Sequence, residues 1–191
     1  PVGQAVISLY QISSIVGMLV IGGVLSLGYY ITMKGLKNKS YGVAVAGAVT
    51  TVAGYGAFGA AILTPYAPEL YQKAILGAGG ITTVIGLIAA SYVYSTDKSF
   101  ESWGAKSGKV FLGAIVSVGI GSFIPSVIGA TAIGIGFVLV IIGFTIDLVY
   151  EIWQVSSGRR TPVQNGFGLY VAFTGVFVHI LQIVLEAMGL D

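Results

Sequence analysis

The side chains with most chemical potential in this chain lie where charge is scarcest. The run Val178-His179-Ile180-Leu181-Gln182-Ile183-Val184-Leu185-Glu186 sets His179, Gln182 and Glu186 at i, i+3 and i+7. That spacing puts all three on one face of a helix, which Ala172 and Gly175 continue. Imidazole titrates near neutrality, so in line with a carboxyl and an amide it suits a proton or cation relay. The competing reading is structural, with His179 bonded to a neighbouring helix and Glu186 reaching the membrane interface. Asp147, Glu151 and Gln154 share a second helical face, with Arg159 and Arg160 close behind. They read either as an interfacial acidic cluster beside a basic loop or as an ion-access site. Gln11, Ser13 and Ser14 offer interhelical hydrogen bonds or a polar helix end.

Enzyme chemistry finds little to work with. A single histidine and no cysteine exclude paired-His zinc or haem sites, thiolate ligands, thiolate nucleophiles and disulfides. The sequence has neither a G-x-S-x-G elbow nor a G-x-x-x-x-G-K-[ST] loop. Gly77-Ala78-Gly79-Gly80 lacks the strand–helix unit of a dinucleotide fingerprint. The expectation is a non-enzymatic protein with no cofactor and no metal. A net charge of +2 without a basic stripe argues against nucleic acid.

The elements that position these residues follow from composition. Charged residues make up 8% of the 191, hydrophobic ones 55%, and mean hydropathy is +0.93. A water-soluble domain carries about 25% charged residues, so the solvent predicted for most of this surface is lipid. Charges divide the chain into neutral runs at Pro1–Met33, Ser40–Pro68, Ala74–Thr96, Val110–Ile146 and Thr161–Leu185. Each suffices to cross a bilayer core, which takes about 20 helical residues.

The fourth run is too long for one crossing. As a helix it would extend roughly 55 Å, against about 30 Å of hydrocarbon. Phe123-Ile124-Pro125-Ser126 interrupts it, with Gly129 just beyond, and proline breaks a helix by removing a donor and clashing with the preceding turn. Two helices joined by a tight turn are therefore favoured over one long kinked helix. The prediction is a single-domain, all-α polytopic transmembrane bundle over 1–191. Its six spans lie near 5–33, 42–64, 74–95, 108–124, 128–153 and 166–189, arranged as three helical hairpins. The first run has no basic segment before it and no small-residue cleavage site, so it reads as a retained helix.

Basic residues give an orientation. Lys34, Lys37, Lys39, Lys98, Lys106, Lys109, Arg159 and Arg160 fall at 34–41, 96–109 and 154–165, leaving only Lys73 for the other face. Those three connections are predicted to be cytoplasmic and both termini external. A single span over 110–153 would scatter the basic residues across both faces, so charge supports the split independently of length. Asn38-Lys39-Ser40 matches a glycosylation sequon, but on the face assigned to the cytoplasm.

Small residues recur at helical spacing: Ala46, Thr50 and Gly54; Ala53, Ala57 and Ala61; Thr82, Gly86 and Ala90; Gly113, Ser117 and Gly121; Gly136 and Gly143. In lipid, helices associate through close backbone packing, which such faces permit. The expected partners are the lipid bilayer and other protein, or further copies of the chain, met through Gly/Ala faces. The functional expectation is a structural or accessory subunit of a larger membrane complex or self-assembly. The alternative is a small ion- or proton-coupled transporter or channel using the polar face of the last helix.

Overall fold

The computed structural model describes residues 22–63, 66–124 and 126–189. Residues 1–21, with Gln11, Ser13, Ser14 and the start of the first span, lie outside them. The reading of that opening run as a retained helix therefore also rests on residues outside this range. Helix α1 covers 22–37 of the described residues. Then follow α2 (Tyr41–Leu63), α3 (Pro68–Tyr94), α4 (Trp103–Phe123), α5 (Val127–Ser157) and α6 (Pro162–Met188). Among the described residues there is no strand. Helices α2, α3, α5 and α6 are each long and apolar enough to span a bilayer.

The helices begin earlier or end later than charge alone suggested. Helix α3 starts at Pro68, not near 74, because proline is tolerated at the first helical position and Glu69 suits the positive end of the helix dipole. Helix α5 runs through Asp147 and Glu151 to Ser157. Charge marks where lipid gives way to water, and helices continue past that level.

The break near Pro125 is present. Helix α4 ends at Phe123 and α5 begins at Val127. The turn closes through Ile124 N–H to Gly121 O at 3.4 Å and Ser126 N–H to Ile124 O at 2.8 Å. A Cβ on Gly129 would collide with the carbonyl of Ile124 and come within 2.6 Å of Gly121 O, so this reversal requires glycine there.

The chain divides into two compact units, Pro1–Phe58 with Gly113–Val138 and Gly59–Leu112 with Leu139–Asp191. In the first, α1 and α2 form a hairpin whose backbones nearly touch. A Cβ on Gly47 would stand 2.5 Å from Thr32 N, and one on Gly28 2.9 Å from Thr51 N. Thr32 and Thr51 are buried yet return their hydroxyls to their own helices, to Gly28 O at 2.8 Å and Gly47 O at 3.0 Å. The packed face of α2 is thus Ala44, Gly47, Thr51 and Gly54, a step round from Ala46 and Thr50, while Ala53, Ala57 and Ala61 face outward. The turn between α1 and α2 closes by Ser40 N–H to Gly35 O (2.8 Å) and Lys39 N–H to Leu36 O (3.2 Å), a Schellman arrangement with Lys39 at φ 57°. In the same unit Ser117 Oγ donates to Ala132 O at 2.7 Å, tying α4 to α5.

In the second unit α3 packs along α6. Gly77 faces Val184 and Gly86 faces Phe173, and Ala74, Ala78, Ala172, Val176 and Leu185 are buried between them. Small residues on α3 bring the two axes close, as lipid-embedded helices require. Large apolar side chains point the other way: Leu76, Leu87 and Ile88 are 68%, 63% and 65% exposed. A protein that turns leucine outward and alanine inward is built for lipid rather than water.

Candidate functional site

Helix α6 organises the polar groups of the second unit. A capping box starts it: Thr161 Oγ1 accepts from Gln164 N–H, and Gln164 Oε1 accepts from Thr161 N–H, with Pro162 at the first helical position. Gly158 at φ 65° turns the chain back from α5. The resulting hairpin has a fixed register. Glu151 Oε2 occupies the space a Cβ on Gly168 would need, and the Phe144 ring does the same at Gly175. Seven residues along α6 thus match seven back along α5.

On that frame Asp147, Glu151 and Gln154 line one face of α5, as their spacing predicted. Glu151 is 1% exposed, and Arg160 Nη1 donates to its Oε2 at 2.6 Å. Arg160 Nη2 also lies 3.4 Å from the Tyr150 hydroxyl, with its guanidinium carbon 5.5 Å from that ring's centre. Gln154 Nε2 donates to the same hydroxyl. One turn deeper, Asp147 Oδ1 lies 3.4 Å from Ser107 Oγ of α4, which is also 2.9 Å from Gly104 O. Close by, α4 makes room for the Tyr150 ring: a Cβ on Gly104 would come within 3.1 Å of it. The cluster therefore sets two carboxyls against one guanidinium.

Deeper still the track turns apolar. Phe144 lies edge-on to Phe111, centroids 4.7 Å apart, and 5.4 Å from the His179 ring. His179 is buried, and its Nδ1 donates to Gly175 O at 2.7 Å, within its own helix. Across from it the α3–α6 register, set by the Gly77–Val184 and Gly86–Phe173 contacts, brings Thr82 level with Val178 and His179. Thr82 is fully buried, and among the described residues its hydroxyl has no hydrogen-bond partner. Gln182 and Glu186 are bonded to each other at 3.1 Å, with Glu186 exposed. The predicted trio on α6 is thus not one site: His179 points into the core and Glu186 away from it.

A family model described as "Inhibitor of apoptosis-promoting Bax1" (Bax1-I) matches residues 2–189. The chain belongs to the Bax1-I family. It is an integral, multi-pass membrane protein and an all-helical bundle. No curated protein and no solved structure matches this Bax1-I chain.

Sequence reasoning anticipated the acidic face of this Bax1-I protein but not its closure. Arg160 stood only as a nearby base, because its union with Glu151 depends on the turn at Gly158. Asn165, buried on α6 with an unpartnered Oδ1 among the described residues, gave a usable signal: a polar side chain one residue inside a capping box. Among the described residues no group of acidic and histidine side chains is arranged to hold a metal.

Proposed function

We propose that this Bax1-I protein is a non-enzymatic permeation protein that lets protons or small cations leak along the polar groups that α5 sets against α6. The observation that carries the reading is the buried Glu151–Arg160 pair, 2.6 Å apart, with Asp147 one turn deeper on the same helix face. Buried charge is costly inside a membrane protein, and its usual role is on an ion or proton path. Two carboxyls and one guanidinium form a site that accepts and releases one positive charge without moving a helix. The Phe111–Phe144 layer closes the track above it, with the Phe144 ring lodged at Gly175. In this reading the ring swings aside to join Asp147 to the level of His179 and Thr82. The end bearing Arg159 and Arg160 faces the cytoplasm, in keeping with the bias of basic residues.

A second reading has its own observation. Ala53, Ala57 and Ala61 form a small-residue stripe that faces outward, a surface suited to another helix. On that basis the chain serves as a structural or accessory subunit of a larger assembly or self-assembly. Reconstitution separates the two. The purified chain, verified as a monomer and placed in liposomes containing a pH-sensitive dye, should collapse an imposed pH gradient faster than empty liposomes. Monomers that leave the gradient intact, together with a large defined assembly in native lipid, would hand the function to the structural reading.

A further inference from the structure

Beyond the ion pair, towards the end of the unit where α5 meets α6, lie two buried amide oxygens. Gln154 Oε1 and Asn165 Oδ1 belong to residues 7% and 9% exposed, and among the described residues neither oxygen has a hydrogen-bond partner. The α5–α6 register brings them together. Glu151 meets Gly168 and Phe144 meets Gly175, so three residues further along α5 and three back along α6 set Gln154 opposite Asn165. Two orphaned acceptors then share one layer, one turn from the Glu151–Arg160 pair.

An unpaired buried acceptor is expensive, and two oxygens at one level cannot satisfy each other because neither is a donor. The ligand that resolves both at once carries two donor hydrogens and no charge. A cation is disfavoured because the Arg160 guanidinium is close. Its Nη2 lies 3.4 Å from the Tyr150 hydroxyl, which also receives Gln154 Nε2. We propose that Gln154 and Asn165 hold a buried water that donates to both amide oxygens. Such a water is the outermost station of the polar track, set between the α5–α6 turn and Glu151. Its role in supplying protons rests on the permeation reading; its presence does not.

The chain has only two asparagines, Asn38 and Asn165, which makes the site visible. In phospholipid vesicles, a chain carrying 15N-asparagine gives two side-chain amide signals in solid-state NMR. Asn38→Asp identifies which of them belongs to Asn165. Polarisation transferred from water should reach the Asn165 amide in the wild type and fall severalfold in Gln154→Leu, which removes one of the two acceptors. Absence of transfer to Asn165 in the wild type would overturn the proposal without any variant. It is also the result expected if the Gln154 amide is reversed and bonds Asn165 directly. Transfer unchanged in Gln154→Leu would overturn it as well. Proton flux is read separately on the same vesicles. A hydrated Asn165 in vesicles that hold their pH gradient would reject the permeation reading and leave the water site standing.

Discussion

Glu151 and Arg160 form a largely buried ion pair in the second unit, with side chains 2% and 18% exposed. Removing one member of such a pair strands the other in a low-dielectric site, whereas removing both does not. Glu151→Ala is therefore expected to destabilise the folded chain by about 3 kcal/mol, measured by denaturant unfolding in detergent. The double variant Glu151→Met/Arg160→Met should recover most of that loss. A double variant as unstable as the single one would mean the pair is not coupled. Lys39 makes a second residue-scale case. Its φ of 57° places a side chain where glycine is the natural occupant of a Schellman turn. Lys39→Gly should raise stability by about 1 kcal/mol in the same unfolding assay; a loss of stability would show that the lysine makes a compensating contact.

At the scale of elements, α6 fixes where Glu151 and Phe144 of α5 lie, and glycine is what lets α5 approach it. At Gly168 the missing Cβ leaves room for Glu151 Oε2, and at Gly175 for the Phe144 ring. A methyl group at Gly175 would push that ring out of its seat. Gly175→Ala and Phe144→Ala are both expected to raise leak through reconstituted vesicles severalfold, with the helical circular dichroism unchanged. Leak at the wild-type level in both variants would remove the aromatic layer from the path. Much of this element was legible beforehand. The i, i+4, i+7 spacing of Asp147, Glu151 and Gln154 follows from helix geometry alone, and they do share a face. His179, Gln182 and Glu186 share a face to the same degree, yet His179 is buried and Glu186 exposed, so spacing on one helix does not decide what covers each level of it. Sharing a face also says nothing about which way that face is turned. The packed side of α2 includes the expected Gly54 but takes Gly47 and Thr51 in place of Ala46 and Thr50, for a related reason. Gly47 and Thr51 are no smaller a motif than Ala46 and Thr50, and only the approach of Gly28 and Thr32 chooses between them.

For the whole molecule, hydropathy and charge carried the fold class and the membrane as solvent. Scarce charge declared the lipid, the proline near the middle of a neutral run separated α4 from α5, and basic connections implied one common face. What they could not carry was contact between distant segments, such as Ser107 with Asp147 or Gly77 with Val184, which depends on how helices rotate and cross. The orientation itself is open to direct test, because a chain without cysteine accepts single reporters cleanly. In sealed vesicles, Lys39→Cys and Arg159→Cys should react with an impermeant maleimide from the same side, and Lys73→Cys from the opposite side. Labelling of Lys39→Cys and Arg159→Cys from opposite faces would dismantle the six-span arrangement.

The most direct test of permeation through the buried acids is proton flux in liposomes holding the purified monomer, compared among Asp147→Asn, Glu186→Gln and the wild type. Asp147→Asn keeps the shape of the side chain and its place beside Ser107 but takes away the carboxyl, so flux should fall to the level of empty liposomes. Glu186→Gln, altered only at the exposed outer end of α6, should conduct as the wild type does. Undiminished flux in Asp147→Asn, with Glu186→Gln silent, would contradict the assignment and return the path to the far end of α6.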